Sequence, residues 1–302
     1  MRITNLTVLA LTLCILSSGC DSRSAPAYNN RGIAYSEQGE FEKAIADLTK
    51  AIELDSTLAP AYNNRGNAYR QQGEFEKAIA DLNKAIELDS TLAPAYNNRG
   101  IAYREQGEFE KAIADLTKAI ELDPTDASLY NNRGFAYYEQ GELDKAIADL
   151  TKAIELDPTD ASLYNNRGFA YHEQGEFEKA FADYNKAIEL DPVFAIAFNN
   201  RGRAYREQGE FEKAIADLTK AIELDPVVAA PYNNRGDAYR QQGELDKAIA
   251  DYNKAIELDP VFAIAYNNRG FVFEKIGNKE NAEADYAKAK ELGFGQNKKS
   301  KR

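Results

Sequence analysis

The sequence predicts an all-α solenoid built from eight 34-residue helical hairpins, and three observations carry that prediction. The pentapeptide Tyr-Asn-Asn-Arg-Gly begins at Tyr28, Tyr62, Tyr96, Tyr130, Tyr164, Tyr232 and Tyr266, with a Phe variant at Phe198, always 34 residues apart. Within each period, apolar residues recur at helical spacing in two runs separated by a short polar break containing Gly. A unit this short cannot bury its own apolar face, so it must stack on copies of itself. Such a stack offers a long surface rather than an enclosed pocket, and the function that follows is binding.

The first element, residues 1–19, differs in kind from everything after it: Arg2 is its only charge and Leu6 to Leu16 is mostly apolar. It reads as a cleaved export signal, with an apolar stretch shorter than the roughly 20 residues that cross a bilayer as a stable helix. Its end, Leu16-Ser17-Ser18-Gly19-Cys20, resembles the bacterial lipoprotein signal, with Ser17 standing where that family prefers an aliphatic residue. The resemblance implies cleavage before Cys20, a lipid on the Cys20 thiol and a short tether over residues 20–24. An ordinary secretory signal with an incidental Cys is the alternative. Cysteine usage favours the lipid, because Cys14 lies in the part to be removed and the mature chain then holds one thiol and no internal disulfide. Asp21 after the Cys resembles the signal that retains a lipoprotein on the inner membrane. That implies the periplasmic face of the inner membrane in a two-membraned host, and the cell surface otherwise.

The repeats occupy 25–58, 59–92, 93–126, 127–160, 161–194, 195–228, 229–262 and 263–296. In the third, helix A places Tyr96, Gly100 and Tyr103 on one face, and helix B places Phe109, Ala112, Leu116, Ala119 and Leu122 on one face. Gly107 suits a left-handed residue ending helix A, and Asp123-Pro124 ends helix B. Pro60 and Pro94 fall in the first turn of the following helix A, where a missing N–H does no harm. Gly100, Ala112 and Ala119 permit close helix approach, while Tyr96, Tyr103 and Phe109 fill the space between layers. Lys111, Asp115, Lys118 and Glu121 alternate in sign along helix B and are expected on a solvated outer face. The Arg repeated from Arg31 to Arg269 is expected to lay its stem over the neighbouring layer, with its guanidinium in solvent or on a carboxylate. The last copy carries Lys279, Glu283 and Lys290 where earlier copies are apolar, a polar cap that ends the stack. Residues 297–302 form a short basic tail, expected to be disordered.

This pattern resembles the tetratricopeptide repeat family over nearly the whole chain after the signal. Two departures are mild: Tyr or Phe stands where the family usually has Trp or Tyr, and Arg stands where it usually has Leu before the helix A Gly. The resemblance implies a right-handed α-solenoid whose A helices line an inner groove.

The copies serve as controls for one another. Helix B positions such as Lys43, Asp47, Lys50 and Glu53 keep the same residue through the first seven copies, although all are expected to be exposed. Variation concentrates on two helix A positions. The first reads Ile33, Asn67, Ile101, Phe135, Phe169, Arg203, Asp237 and Phe271; the second reads Ser36, Arg70, Arg104, Tyr138, His172, Arg206, Arg240 and Glu274. Read in order, the groove is basic at copies two and three, aromatic at four and five, and carries two Arg at copy six. Such a gradient suits one extended partner with acidic groups near the Arg residues and apolar groups over Phe135, Tyr138, Phe169 and His172. Drift copied once between copies four and five competes for the aromatic part. The resemblance implies that the second Asn of each pair, at Asn64, Asn98, Asn132, Asn166 and Asn200, hydrogen-bonds a bound peptide; satisfying local groups between layers is the alternative.

Other functions are disfavoured by what the sequence lacks. With 49 acidic against 37 basic side chains and a net charge of -12, the surface replaces phosphate counterions poorly, so no nucleic-acid partner is expected. No phosphate loop, zinc-protease motif or paired-Cys motif occurs, and the single His leaves no metal centre or Cys-His nucleophile pair. The chain is therefore expected to be no enzyme, with no cofactor, no metal and no small-molecule substrate. Its expected role is a membrane-tethered scaffold for protein or peptide partners. A structural spacer or self-assembling protein, or an accessory subunit of an envelope enzyme or assembly machine, are the alternatives.

Overall fold

The computed structural model describes residues 23–295, so the expected signal, Cys20 and the basic tail lie outside the described residues. Among those described, every regular element is an α-helix and the helices alternate A, B, A, B in hairpins. The all-α hairpin repeat read from the sequence is the observed fold. The chain divides into two compact units at Leu156.

The first unit holds α1 (Ala25–Glu37), α2 (Phe41–Leu54), α3 (Ala59–Gln71), α4 (Phe75–Leu88), α5 (Ala93–Glu105), α6 (Phe109–Leu122), α7 (Ala127–Gln140) and α8 (Leu143–Leu156). The second holds α9 (Ala161–Glu173), α10 (Phe177–Leu190), α11 (Ala195–Glu207), α12 (Phe211–Leu224), α13 (Ala229–Gln242), α14 (Leu245–Leu258), α15 (Ala263–Lys275) and α16 (Lys279–Glu291). Within each unit, an A helix packs on its own B helix, on the preceding B helix, and on the A helices of adjacent hairpins. The odd-numbered helices thus share one face of each unit.

Local chemistry fixes each turn. Gly107 adopts a left-handed φ of 77°, so its N–H reaches the Arg104 carbonyl at 2.9 Å and the Glu108 N–H reaches Tyr103 at 2.8 Å, closing α5 with a glycine C-cap. Between hairpins, Asp55 accepts from the backbone N–H and the hydroxyl of Thr57, a side-chain mimic of a backbone turn. Val193, Val227 and Val261 take the Thr place later in the chain; they keep the N–H bond to the Asp but expose their methyls, at 68, 72 and 68%.

The core is layered by size. Ala112 and Leu116 on α6 meet Ala136 of the next hairpin, flanked by Tyr103 and Ile113, and Ala119 and Ile120 meet Leu129 between Tyr96 and Tyr130. Close approach within a hairpin requires Gly100: a Cβ there would lie 2.8 Å from Leu116 Cγ and 3.1 Å from the Ala112 carbonyl. On α16, Lys279, Glu283 and Lys290 are exposed.

Candidate interaction groove

One expectation is corrected at the outset. Asp115 does not sit on a solvated outer face; it is 8% exposed and receives both arms of Arg99, Nε and Nη2 each at 2.7 Å. The same bidentate pair joins helix A to helix B in all eight hairpins, and Asp47 is buried in the same way. The remaining Nη1 of Arg99 donates to Asn83 of the preceding B helix, and that of Arg65 donates to Thr49. Most of these guanidinium groups also lie over the aromatic ring of their own pentapeptide, 5.6 Å from the Tyr96 centroid for Arg99, while Arg167 lies over Tyr171. One planar cation thus ties three helices, work a Leu cannot do, which is why every copy carries Arg before the Gly. The Asp115 hydrogen bond raises the Arg99 pKa against the opposing pull of burial. Lys111 and Lys118 do lie outside, paired with Glu108 and Glu121.

The paired Asn form a ladder between layers. Asn64 donates to Asn29, Asn98 to Asn63 and Asn132 to Asn97 in the first unit; Asn200 donates to Asn165, Asn234 to Asn199 and Asn268 to Asn233 in the second, all at 2.9–3.0 Å. The second Asn of a pair therefore spends one N–H on the preceding copy. Asn165 and Asn199 also donate to the Asn166 and Asn200 carbonyl oxygens.

The variable positions lie on the A helices of each unit, where most are part-exposed but His172 and Asp237, expected in the groove, are buried, and their cations are engaged by the chain itself. Arg70 reaches Glu105 at 2.8 Å and Asn67 at 2.9 Å; Arg104 lies 3.6 Å from Glu139 and stacks 5.3 Å from the Phe135 ring, which meets Tyr138 edge-on. In the second unit His172, 4% exposed, meets Glu207 at 2.8 Å and packs on Phe169 and Phe177. Arg203 bonds Glu173 and Glu207 and lies over Phe169. Arg206 reaches Asp237 at 2.9 Å, and Asp237 also accepts from Arg240 and from the Tyr252 hydroxyl. Burial opposes ionisation of Glu207, yet the hydrogen bonds and charges of His172 and Arg203 outweigh it and hold the carboxyl below its usual range. Burial, with Asp237 alongside, pushes the Tyr252 phenol far up.

The basic stretches expected in the groove are accordingly neutralised. Arg203, Arg206 and Arg240 face Glu173, Glu207 and Asp237, so the gradient along the face is one of side-chain shape more than of net charge. The partners that the reading above missed are the A-helix-terminal Glu residues. A comparison of copies at an offset of 35 residues would have found them: Arg70, Arg104 and His172 are each followed 35 residues later by Glu105, Glu139 and Glu207.

Near the start of the first unit, α1, α2 and α3 enclose a recess of about 290 Å³ with Ile33 and Phe41 as apolar walls and Asn64, Asn67, Glu37 and Gln71 around them. Among the described residues no group of three or more His, Cys, Asp or Glu is arranged to hold a metal ion, and no helix is long and apolar enough to cross a membrane.

Known sequence families identify this arrangement. Profiles described as TPR repeat match residues 66–104, 100–141, 136–175, 202–239 and 236–277, and profiles described as tetratricopeptide repeat match 25–58, 161–194, 48–80, 183–216 and 263–292. The chain belongs to the tetratricopeptide repeat family. Proteins of this family are generally non-catalytic scaffolds that bind protein or peptide partners. No curated protein matches the sequence. Among solved structures, a tetratricopeptide repeat protein from Parabacteroides merdae ATCC 43184 superposes with a TM-score of 0.67 at 20% identity, over 82% of this chain and 98% of that one. Cut9 and Hcn1 form an APC/C hetero-tetramer whose structure matches with a TM-score of 0.66 at 20% identity, over 84% of this chain and 50% of that one. The Pseudomonas aeruginosa pilF structure matches with a TM-score of 0.61 at 22% identity, over 73% of this chain and 97% of that one. At these identities the likeness is one of fold.

Proposed function

We propose that this tetratricopeptide repeat chain is an exported, lipid-tethered scaffold that holds protein or peptide segments along its A-helix face. One observation carries the proposal: exposed outer positions such as Lys50 and Glu53, at 49 and 58% side-chain exposure, stay constant between copies, while the A-helix face changes from copy to copy. The constancy of Asp47 has a structural cause in its Arg31 pair; that of Lys50 and Glu53, a screened surface pair of little energetic worth, has none. Diversification concentrated on one face is what selection for a partner produces. The candidate contacts are Ile101, Phe135 and Tyr138 in the first unit and Phe169 in the second, with the paired Asn as hydrogen-bond donors. A lipid on Cys20, as its signal-like context suggests, would confine the scaffold and its cargo to one surface and raise their effective concentration.

The test is site-specific photo-crosslinking in the native envelope. A crosslinker at position 101 or 135 is expected to trap discrete partners, and one at position 118 on the outer face is not. Equal yields from both faces, or none from the A-helix face, would replace the groove by the spacer reading. Metabolic labelling with a fatty acid, lost in Cys20→Ser, checks the tether independently.

A further inference from the structure

Three pairs on the A helices run forward from one copy to the next, and such pairing leaves an end. A basic side chain of one copy reaches forward to the terminal Glu of the next: Arg70 to Glu105, Arg104 to Glu139, His172 to Glu207. Glu173 is met instead by Arg203. Glu37 is the terminal Glu of the first copy, and residues 1–24 before it do not carry the repeat that supplies such a cation elsewhere. Among the described residues it is also met by no other donor, and it stands exposed at the rim of the recess between α1 and α3.

The recess is built to take a side chain. Ile33, 36% exposed, and Phe41 form its apolar walls, and 290 Å³ lies at the small end of ligand pockets, the size of a residue more than of a cofactor. Asn67 accepts from Arg70 through Oδ1, so its amide N–H groups are available to a ligand carbonyl. The cation of α3 on this face, Arg70, is turned away to Glu105 and does not compete for Glu37. Apolar walls, one amide donor and an unmatched carboxylate at the rim together define the complement.

We propose that this recess binds an extended peptide through an apolar side chain with a Lys or Arg beside it, the apolar group entering between Ile33 and Phe41 and the cation meeting Glu37. The assignment rests on the reading of the A-helix face as a peptide groove, and it gives that face of the first unit a polarity: its open charge is negative and lies at the first copy, whereas Arg70 and Arg104 are satisfied.

The copies themselves supply the test variants. Asn stands at the Ile33 position in the second copy and Gln at the Glu37 position in the second and seventh, so Ile33→Asn and Glu37→Gln are compatible with the fold. Three labelled Gly/Ser peptides differing only in a central Leu-Arg, Leu-Glu or Ser-Arg pair would be titrated by fluorescence anisotropy against the full chain. Leu-Arg is expected to bind best, Ser-Arg about tenfold or more weaker for want of apolar burial, and Leu-Glu about fivefold weaker. Glu37→Gln should cost Leu-Arg a similar factor of about five, and Ile33→Asn should bring it to the Ser-Arg level. Equal binding of Leu-Glu and Leu-Arg, or indifference to Glu37→Gln, overturns the proposal. Isoleucine methyl spectra separate the two readings: peptide shifts at Ile101 but not Ile33 sink the recess and keep the groove, whereas shifts at neither sink both. A photo-crosslinker at position 33 that joins residues 1–22 or a second copy, in place of the peptide, also overturns it.

Discussion

At the scale of single residues, the Arg before the helix A Gly is the most informative position. Arg99 holds a buried carboxylate with two parallel hydrogen bonds and the preceding layer with a third. Arg99→Ala strands Asp115 without its partner and is expected to cost about 2–3 kcal/mol, the worth of hydrogen bonds to a charged group; urea unfolding of the full chain measures it. Arg99→Lys should recover little, because an ammonium cannot bind both oxygens and Asn83 at once, and a fully rescued Lys variant would reduce the pair to simple charge. The turn valines give the opposite kind of test. Thr at position 57 bonds Asp55 through its hydroxyl and holds that carboxyl below its usual range, and Val193, Val227 and Val261 lack that bond. Replacing each by Thr is expected to leave stability unchanged or raised within about 0.5 kcal/mol, as for a compatible surface change. A clear loss in thermal unfolding would mean that the exposed methyls contact something in the assembled state.

At the scale of the element, the ladder across A helices decides how the variable face behaves with pH. Glu207 is held below the usual carboxylate range, so it contributes stability that is present above its unfolded value near about 4.3 and is lost as pH falls through the folded value. The stability difference between the parent and Glu207→Gln should therefore shrink as pH is lowered from about 5 to about 3, read from denaturant midpoints at each pH; a constant difference would remove Glu207 from the ladder. The hairpins themselves were legible in the sequence because local rules agree: the apolar spacing, Gly107 and Asp123 all mark boundaries that tertiary contacts have no reason to move. The pairing was less legible. Asp115 and Lys118 look alike on a helical pattern, and only packing against α5 tells the buried carboxylate from the exposed ammonium. The arginines of the variable positions looked like free cations for the same reason. The Glu partners of Arg70 and Arg104 lie 35 residues away, in a neighbouring copy, and periodicity within one copy does not reveal a contact between two.

At the scale of the whole molecule, a chain of near-identical copies must specify where it stops. Within each unit a B helix presents an apolar face that the next A helix covers, as Ala112 and Leu116 are covered by Ala136, so a ninth layer would be welcome on chemical grounds unless the last face refused it. Lys279, Glu283 and Lys290 are expected to supply that refusal on α16, where earlier copies carry Phe or Leu, then Ile or Phe, then Ile. The net charge of -12 adds a general repulsion between copies, but charge alone falls off within about 10 Å in salt and does not prevent an apolar end from meeting the exposed first helix of another chain. The triple variant Lys279→Phe, Glu283→Ile, Lys290→Ile restores the interior face at the end of the stack. Each apolar side chain it adds gains about 1.5–3 kcal/mol when covered, enough together to favour end-to-end association. Light scattering coupled to size exclusion should show the variant growing in mass with concentration relative to the parent, with helix content unchanged by circular dichroism. If the variant kept the parent's mass at every concentration, the polar residues of α16 would not be what ends the stack, and the termination would have to reside in the geometry of the last hairpin.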